Sequence, residues 1–171
     1  MSVYRCVVID PPWPEHGGGK IKRGADRHYA LMSTDAIRVL LEHTIEPKIA
    51  EDAHLWLWVT NNYLQSGLLL MSALRFRYVN NLVWVKPTRG LGQYLRGQHE
   101  LCLFGVRGKT MLPADRTRST VVHWAKGRHS AKPDGAFETF EAVSPGPRLE
   151  VFARAPREGW DVWGNEADGG A

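Results

Sequence analysis

The sequence predicts an α/β fold with a mostly parallel central sheet flanked by helices, in a single domain over residues 1–171. Three observations predict it. Short apolar runs rich in β-branched residues alternate with segments whose apolar residues recur at helical spacing, as in successive βα units. No internal repeat and no interdomain linker interrupts the alternation. At 171 residues the chain is long enough to bury one core without covalent staples.

Taken in order, Val3 to Ile9 reads as a buried strand, and Pro14 to His28 as a long polar segment containing Gly17, Gly18 and Gly19. Ser33 is placed to cap a helix in which Ile37, Leu40, Leu41 and Ile45 share a face. Leu55 to Thr60 is a second strand, and Leu64, Leu68, Met71 and Leu74 mark the apolar face of a second helix. Val79 to Val85 is a third strand, ending at Lys86-Pro87. Thr88 to Gly97 has three glycines and no periodicity, and is expected to be a mobile loop. Leu101 to Val106 and the shorter Thr120 to Trp124 read as strands. A third helix carries Ala136, Phe137, Phe140 and Val143 between Pro133 and the stop at Ser144-Pro145-Gly146. Leu149 to Ala153 and Asp161 to Trp163 complete the strands, and the glycine-rich tail after Asn165 is expected to fray.

Composition narrows the class. No run of eighteen apolar residues exists to span a bilayer, and the first ten residues are too short and end too acidic for a secretory signal, so a cytoplasmic protein is expected. Cys6 and Cys102 sit in apolar strand-like runs and are expected to be buried thiols. The seven histidines lack metal-ligand spacing, so no metal site is expected. The net charge of +4 is unevenly spread. Lys20, Lys22, Arg23 and Arg27 fall in one glycine-rich stretch, Lys86, Arg89 and Arg96 in another, and Arg116, Arg118, Lys126, Arg128 and His129 in a third. Such clusters suit either a solvated surface or the phosphates of a nucleic acid.

The chemistry is concentrated in Asp10-Pro11-Pro12-Trp13, directly after the first strand. Open α/β sheets bind ligands beyond the carboxyl ends of their strands, where Asp10, Thr60 with Asn61, Lys86 and Arg154 fall. Consecutive prolines fix φ, hold the preceding residue extended and remove two backbone donors, giving a stiff turn with a carboxylate and bare carbonyls facing outward. That turn suits methylation of an aryl amine, whose lone pair is delocalised into its ring. The Asp10 carboxylate and the Pro11 carbonyl can each accept one N–H, which favours a pyramidal nitrogen aimed at a methyl sulfonium for in-line transfer. Trp13 offers a face on which an extracted base stacks.

From Val7 to about Glu166 the sequence resembles the family of adenine methyltransferases typified by the catalytic subunit of the eukaryotic messenger-RNA methyltransferase, and it looks like a compact bacterial or phage member. The signature Asp-Pro-Pro-Trp is intact, followed by Tyr29, Met32-Ser33, Leu57-Trp58-Val59-Thr60 and Trp84-Val85-Lys86. Glu100 with Cys102 and Gly105, Lys132-Pro133-Asp134, Ser144-Pro145-Gly146, Glu150 with Phe152, Arg154 and Gly164-Asn165 follow in the same order. The resemblance implies a Rossmann-like methyltransferase fold and S-adenosylmethionine as cofactor. It implies that Asp10 meets both the cofactor and the target amine, and that Lys132 meets the methionine part. Phe152 is implied beside the cofactor's adenine, with Arg154, Asn165 and Glu166 at the ribose or adenine. Glu166 stands where the family often has Gln, and Pro156 and Arg157 stand where it often has His and Asn.

The nucleic acid falls to Trp13, Tyr29, Lys20, Lys22, Arg23, Lys86, Arg96 and Glu100, with Glu100 as a gate of the substrate channel or a plain strand end. Trp56, Trp58 and Trp84 are assigned to the core. Three functions remain open at this stage. They are a 6-amino methyltransferase of adenine in nucleic acid, with DNA favoured over RNA; a catalytically dead nucleic-acid-binding subunit; and an amino-methyltransferase acting on cytosine or a free nucleotide. The expected state is a monomer or homodimer.

Overall fold

The computed structural model describes residues 3–14, 32–90, 92, 94–113, 115–125 and 132–164. The strands are β1 (Tyr4–Ile9), β2 (Ile49–Val59), β3 (Arg77–Val85), β4 (His99–Arg107), β5 (Val121–Val122), β6 (Arg148–Val151) and β7 (Asp161–Trp163). They form one sheet in the order β5-β3-β4-β2-β1-β6-β7. β1 pairs in parallel with β2 and β6, β6 with β7, and β3 with β5, while β4 pairs antiparallel with both β2 and β3. Only β4 therefore runs against the rest, and the sheet is mostly parallel, as in a Rossmann-like fold.

Among the described residues three α-helices cover its faces: α1 (Thr34–Thr44), α2 (Leu64–Ala73) and α3 (Asp134–Val143). Alternation along β1 divides the core. Val7 and Ile9 face one side with Ile37 and Leu41 of α1 and Leu70 and Met71 of α2. Cys6 and Val8 face the other with Ala136, Phe137 and Phe140 of α3 and the rings of Trp56, Trp58 and Trp84. A strand buried on both faces must be apolar at every position, and that is what made the β1 and β2 runs readable.

The helix boundaries follow local chemistry. Ser33 Oγ accepts the Ala36 backbone N–H at 3.1 Å and caps α1. Pro133 precedes α3, which stops at Ser144. The face of α2 differs from the leucine spacing, since Gly67, Leu70, Met71 and Leu74 are buried while Leu68 is exposed. Gly67 is the reason: a Cβ there would lie 2.5 Å from Val59 Cγ1, so its bare backbone lets α2 settle directly on β2. Both cysteines are free and buried, and burial pushes the Cys6 thiol up to about 12. No described helix is long and apolar enough to cross a membrane.

One polar knot ties the α3 face to its turn. His54 Nδ1 lies 3.0 Å from Ser144 Oγ, which also accepts the Trp56 indole N–H at 2.9 Å. Burial lowers the His54 pKa below its ordinary value of 6.5. The unfolded chain therefore takes up a proton that the native imidazole refuses, and stability is lost as pH falls below 6.5. Urea unfolding of the parent and of His54→Phe, at about pH 8 and about pH 5.5, reads this out. The parent should lose more stability on acidification than the variant, by at most about 1.4 kcal/mol per pH unit.

Candidate active site at the carboxyl edge of the sheet

The strand directions decide which side chains meet. β1, β2, β3 and β6 all end on one edge, and antiparallel β4 begins there, with Glu100 opposite Trp84 in the β3–β4 register. Asp10 follows β1, Lys86 follows β3, and Lys132 leads into α3. Residues 10, 86, 100 and 132 are thus drawn together from four separate segments.

They form a row of alternating charge. Lys132 Nζ lies 3.1 Å from Asp10 Oδ1 and 3.2 Å from Glu100 Oε2, and the other oxygen of Glu100 accepts from Lys86 Nζ. The two ammoniums rest on aromatic faces, Lys132 at 4.9 Å from the Trp58 ring centroid and Lys86 at 5.2 Å from that of Trp84. Burial alone would lower the pKa of Lys132, yet Asp10 and Glu100 outweigh it and the lysine pKa is raised. Burial likewise pushes Glu100 up, but Lys132 and Lys86 hold it below its ordinary value. Lys132 and Glu100 therefore each hold the other in its charged form.

The Asp-Pro-Pro-Trp turn is less open than the sequence implies. Pro11, Pro12 and Trp13 are buried, and the Pro11 carbonyl accepts the Trp13 backbone N–H at 2.8 Å. The Pro12 carbonyl accepts from Met32 N, and the Pro14 carbonyl from the Tyr63 hydroxyl. Bare outward carbonyls are thus replaced by bonded ones, because a buried acceptor must be paired. Trp13 is 5% exposed; its indole N–H donates to the Trp58 carbonyl at 3.0 Å and its ring stacks on Tyr63 at 5.3 Å and 8°. One of its faces is occupied by Tyr63, a contact the sequence reading did not include.

Beside Asp10, Phe152 is buried with φ +62°, edge-on to Trp163 at 5.6 Å, and its N–H donates to the Trp163 carbonyl at 2.6 Å. A left-handed aromatic residue stores about 1–3 kcal/mol of backbone strain, which is usual where a chain turns sharply at a site. Arg154 is half-buried after it, and Arg96 is exposed on the β3–β4 connection. Tyr29, Lys20, Lys22, Arg23, Asn165 and Glu166 lie outside the described residues. Among the described residues no group of three or more His, Cys, Asp or Glu is placed to hold a metal.

Two features escaped sequence reading. Trp58 and Trp84 do belong to the core, but one face of each ring also carries one of the two lysines. Glu150, in register with Val8 on the α3 face, is a carboxylate in an apolar strand. Burial raises its pKa to about 7, with Arg157 opposing and Asp10 reinforcing. The signal was available: an acid at an inward position of a strand whose neighbours Leu149 and Val151 are buried.

Glu150 holds its proton in the native protein where the unfolded chain has released it. Its contribution to stability is full below 4.5 and is lost as pH rises through about 7. The stability of the parent relative to Glu150→Gln, followed by urea unfolding across this range, should fall with rising pH. A constant difference would show that the carboxyl titrates as in water.

Comparison with known proteins identifies the family. The MT-A70 family pattern matches residues 4–166. The chain is 30% identical over 181 residues to a probable N(6)-adenosine-methyltransferase MT-A70-like of Oryza sativa subsp. japonica, covering 99% of this chain and 24% of that protein. It is 28% identical over 180 residues to the N(6)-adenosine-methyltransferase catalytic subunit METTL3 of Homo sapiens, covering 99% of this chain and 29% of the relative. With the type II methyltransferase M.MunI of Mycoplasma sp it shares 29% identity over 185 residues, covering 95% of this chain and 77% of the relative. It thus spans about a quarter of the adenosine-methyltransferases and about three quarters of M.MunI. With the family pattern matched from residue 4 to residue 166, a span that takes in every strand of the sheet, the chain belongs to the MT-A70 family.

Proposed function

We propose that the protein is an S-adenosylmethionine-dependent methyltransferase acting on the 6-amino group of adenine in nucleic acid, with DNA favoured over RNA. The single observation that carries the reading is the Asp10 carboxylate, fixed by Lys132 at the carboxyl end of β1 in a chain of this family. The preference for DNA rests on the likeness to the type II methyltransferase M.MunI, at 29% identity.

The residues present suit the cofactor. Its sulfonium and ammonium call for a carboxylate, which Asp10 supplies, and its carboxylate calls for a cation. Lys132 has three N–H donors and uses two, on Asp10 and Glu100, so one remains for that carboxylate. Trp58 Nε1 and Thr60 Oγ1 are buried at this edge with no hydrogen-bond partner among the described residues, as donors awaiting a ligand are. Phe152 supplies an apolar wall for the adenine ring, with Arg154 beside it; Asn165 and Glu166 are assigned to the ribose or adenine.

When bound, S-adenosylmethionine supplies an electrophilic methyl group. The protein's own part is positional and electrostatic. Asp10 accepts one N–H of the target amine, and the second lone pair of the Pro11 carbonyl accepts the other. Together they turn the nitrogen lone pair out of the ring plane. Asp10 also stabilises the positive charge that develops on that nitrogen. Trp13 closes the floor beneath the base, held by Tyr63 and the Trp58 carbonyl, and Glu100 with Lys86 borders the entrance. Tyr29, Lys20, Lys22, Arg23 and Arg96 are assigned to the rest of the nucleic acid.

Incubation with labelled S-adenosylmethionine and DNA, RNA or free nucleosides, followed by digestion and mass spectrometry, tests the reading. N6-methyladenine from DNA is expected. Methylcytosine, a methylated free nucleoside or no product would each replace it with one of the alternatives. Asp10→Ala should lower turnover by about 100-fold or more, the loss typical of a removed charge-stabilising group. Its circular dichroism should match the parent, and turnover near that of the parent would remove Asp10 from the mechanism. Lys132→Met should weaken binding of S-adenosylhomocysteine in calorimetry by at least about tenfold, about 1.4 kcal/mol.

A further inference from the structure

Between β3 and β4 the chain makes an excursion whose tip the methylation chemistry leaves unused. From Lys86 to Gln98 it contains no acidic residue, two arginines at 89 and 96, and the adjacent pair Tyr94-Leu95. The base of the excursion is a hydrogen-bonded stem rather than free coil. Lys86 N donates to the Gln98 carbonyl at 2.7 Å, the Gln98 side chain returns a bond to the Lys86 carbonyl at 3.1 Å, and Gly90 N donates to the Gly97 carbonyl at 2.7 Å. At Gly92 a Cβ would come within 1.8 Å of the Leu95 carbonyl oxygen, so glycine there serves close backbone approach in the turn.

Two apolar residues of that turn stand away from the body. Tyr94 is fully exposed and Leu95 is 85% exposed, with exposed Arg89 and Arg96 beside them. A single exposed leucine needs no explanation. Two adjacent large apolar side chains on a tied stem, flanked by cations and rooted at Lys86 in the charged row, form a directed surface. Its chemistry is that of side chains which enter a base stack while their basic neighbours hold phosphates. The site itself supplies the need. Asp10 is recessed beside buried prolines, so a paired adenine reaches it only by leaving the helix, and the vacated place must be filled or the stack recloses.

We infer that Tyr94 and Leu95 form a wedge that enters the base stack of a double-stranded nucleic acid and holds open the place vacated by the target adenine, with Arg89 and Arg96 on the flanking phosphates. The inference rests on the proposed adenine methylation. It adds to that reading a preference for paired substrate that resides in two residues remote from the reacting atoms. The charge of the excursion selects nucleic acid as the occupant over a second copy of the chain, whose matching surface would itself be basic.

The test compares the parent with the double variant Tyr94→Ala/Leu95→Ala. The substrate is an adenine-unmethylated DNA of several kilobases, used as native duplex and after heat denaturation, with labelled S-adenosylmethionine. Both side chains are exposed, so the variant should fold as the parent does. Its kcat/KM on duplex should fall by about 10- to 100-fold, the loss of one stacking contact, while that on denatured strands stays within about twofold. Tyr94→Trp should retain duplex activity. Equal loss on both substrates, or no loss on either, overturns the wedge, as does a parent active on denatured strands alone. Equal loss together with a changed oligomeric state in light scattering makes the tip a contact between copies instead. A parent inactive on both DNA forms and on RNA removes the methylation reading and the wedge with it, whereas an active parent with an unmoved duplex-to-single-strand ratio removes the wedge alone.

Discussion

A lysine ammonium buried between two carboxylates over an indole face holds this site together. Removing such an ion from water costs several kcal/mol, and Lys132 stays charged because Asp10 and Glu100 both reach it and Trp58 lies beneath. The contact joins segments that are far apart in sequence: the end of β1, the start of β4 and the entry to α3. The same contact fixes the orientation of Asp10, whose carboxylate must face the target amine. Structure and chemistry therefore depend on one charge, and the aromatic core under the sheet's edge is what allows that charge to be sheltered.

The second constraint is topological. Were β4 parallel to its neighbours, Glu100 would lie at the opposite edge of the sheet, far from Lys132. The excursion between β3 and β4 returns the chain directly, so β4 inserts antiparallel between β3 and β2 and starts where the other strands end. One reversal supplies the carboxylate that completes the charged row and at the same time projects the 86–98 stem from that edge. Burial of Pro11 to Trp13 beneath the row gives Asp10 a rigid mount, since the turn is anchored by Tyr63 and by the Trp58 carbonyl.

How much of this could be read beforehand depends on how local each cause is. The β1 run Cys6-Val7-Val8-Ile9 is apolar because both faces are covered, and Ser33 and Pro133 announce helix starts through their own chemistry; all three are local and were legible. The direction of β4 was not, because an inward strand carries the same residues whichever way it runs. The face of α2 was misjudged, since leucine spacing ignores what a glycine at 67 allows against Val59. At the site, the order of signature residues pointed to Asp10, Lys132 and Glu100 separately. Their mutual pairing depends on strand order, which no spacing encodes. The outward Pro11 carbonyl was a fair inference from proline's missing donor, but the Trp13 N–H that satisfies it comes from folding the turn back on itself. Glu150 went unread as a titrating group because its neutrality arises from surroundings supplied by α3 and the adjoining strand.

The most direct measurement of the central claim is a double-mutant cycle on folding stability, using Lys132→Met, Glu100→Gln and the two combined, by urea unfolding at neutral pH. A shared ammonium predicts that Lys132→Met alone is strongly destabilising, because it leaves Glu100 and Asp10 without the cation between them, and that adding Glu100→Gln recovers part of the loss. The coupling should be at least about 1 kcal/mol. Effects that add within about 0.5 kcal/mol would mean that Lys132 and Glu100 act independently, and the charged row would not be what organises this edge of the sheet.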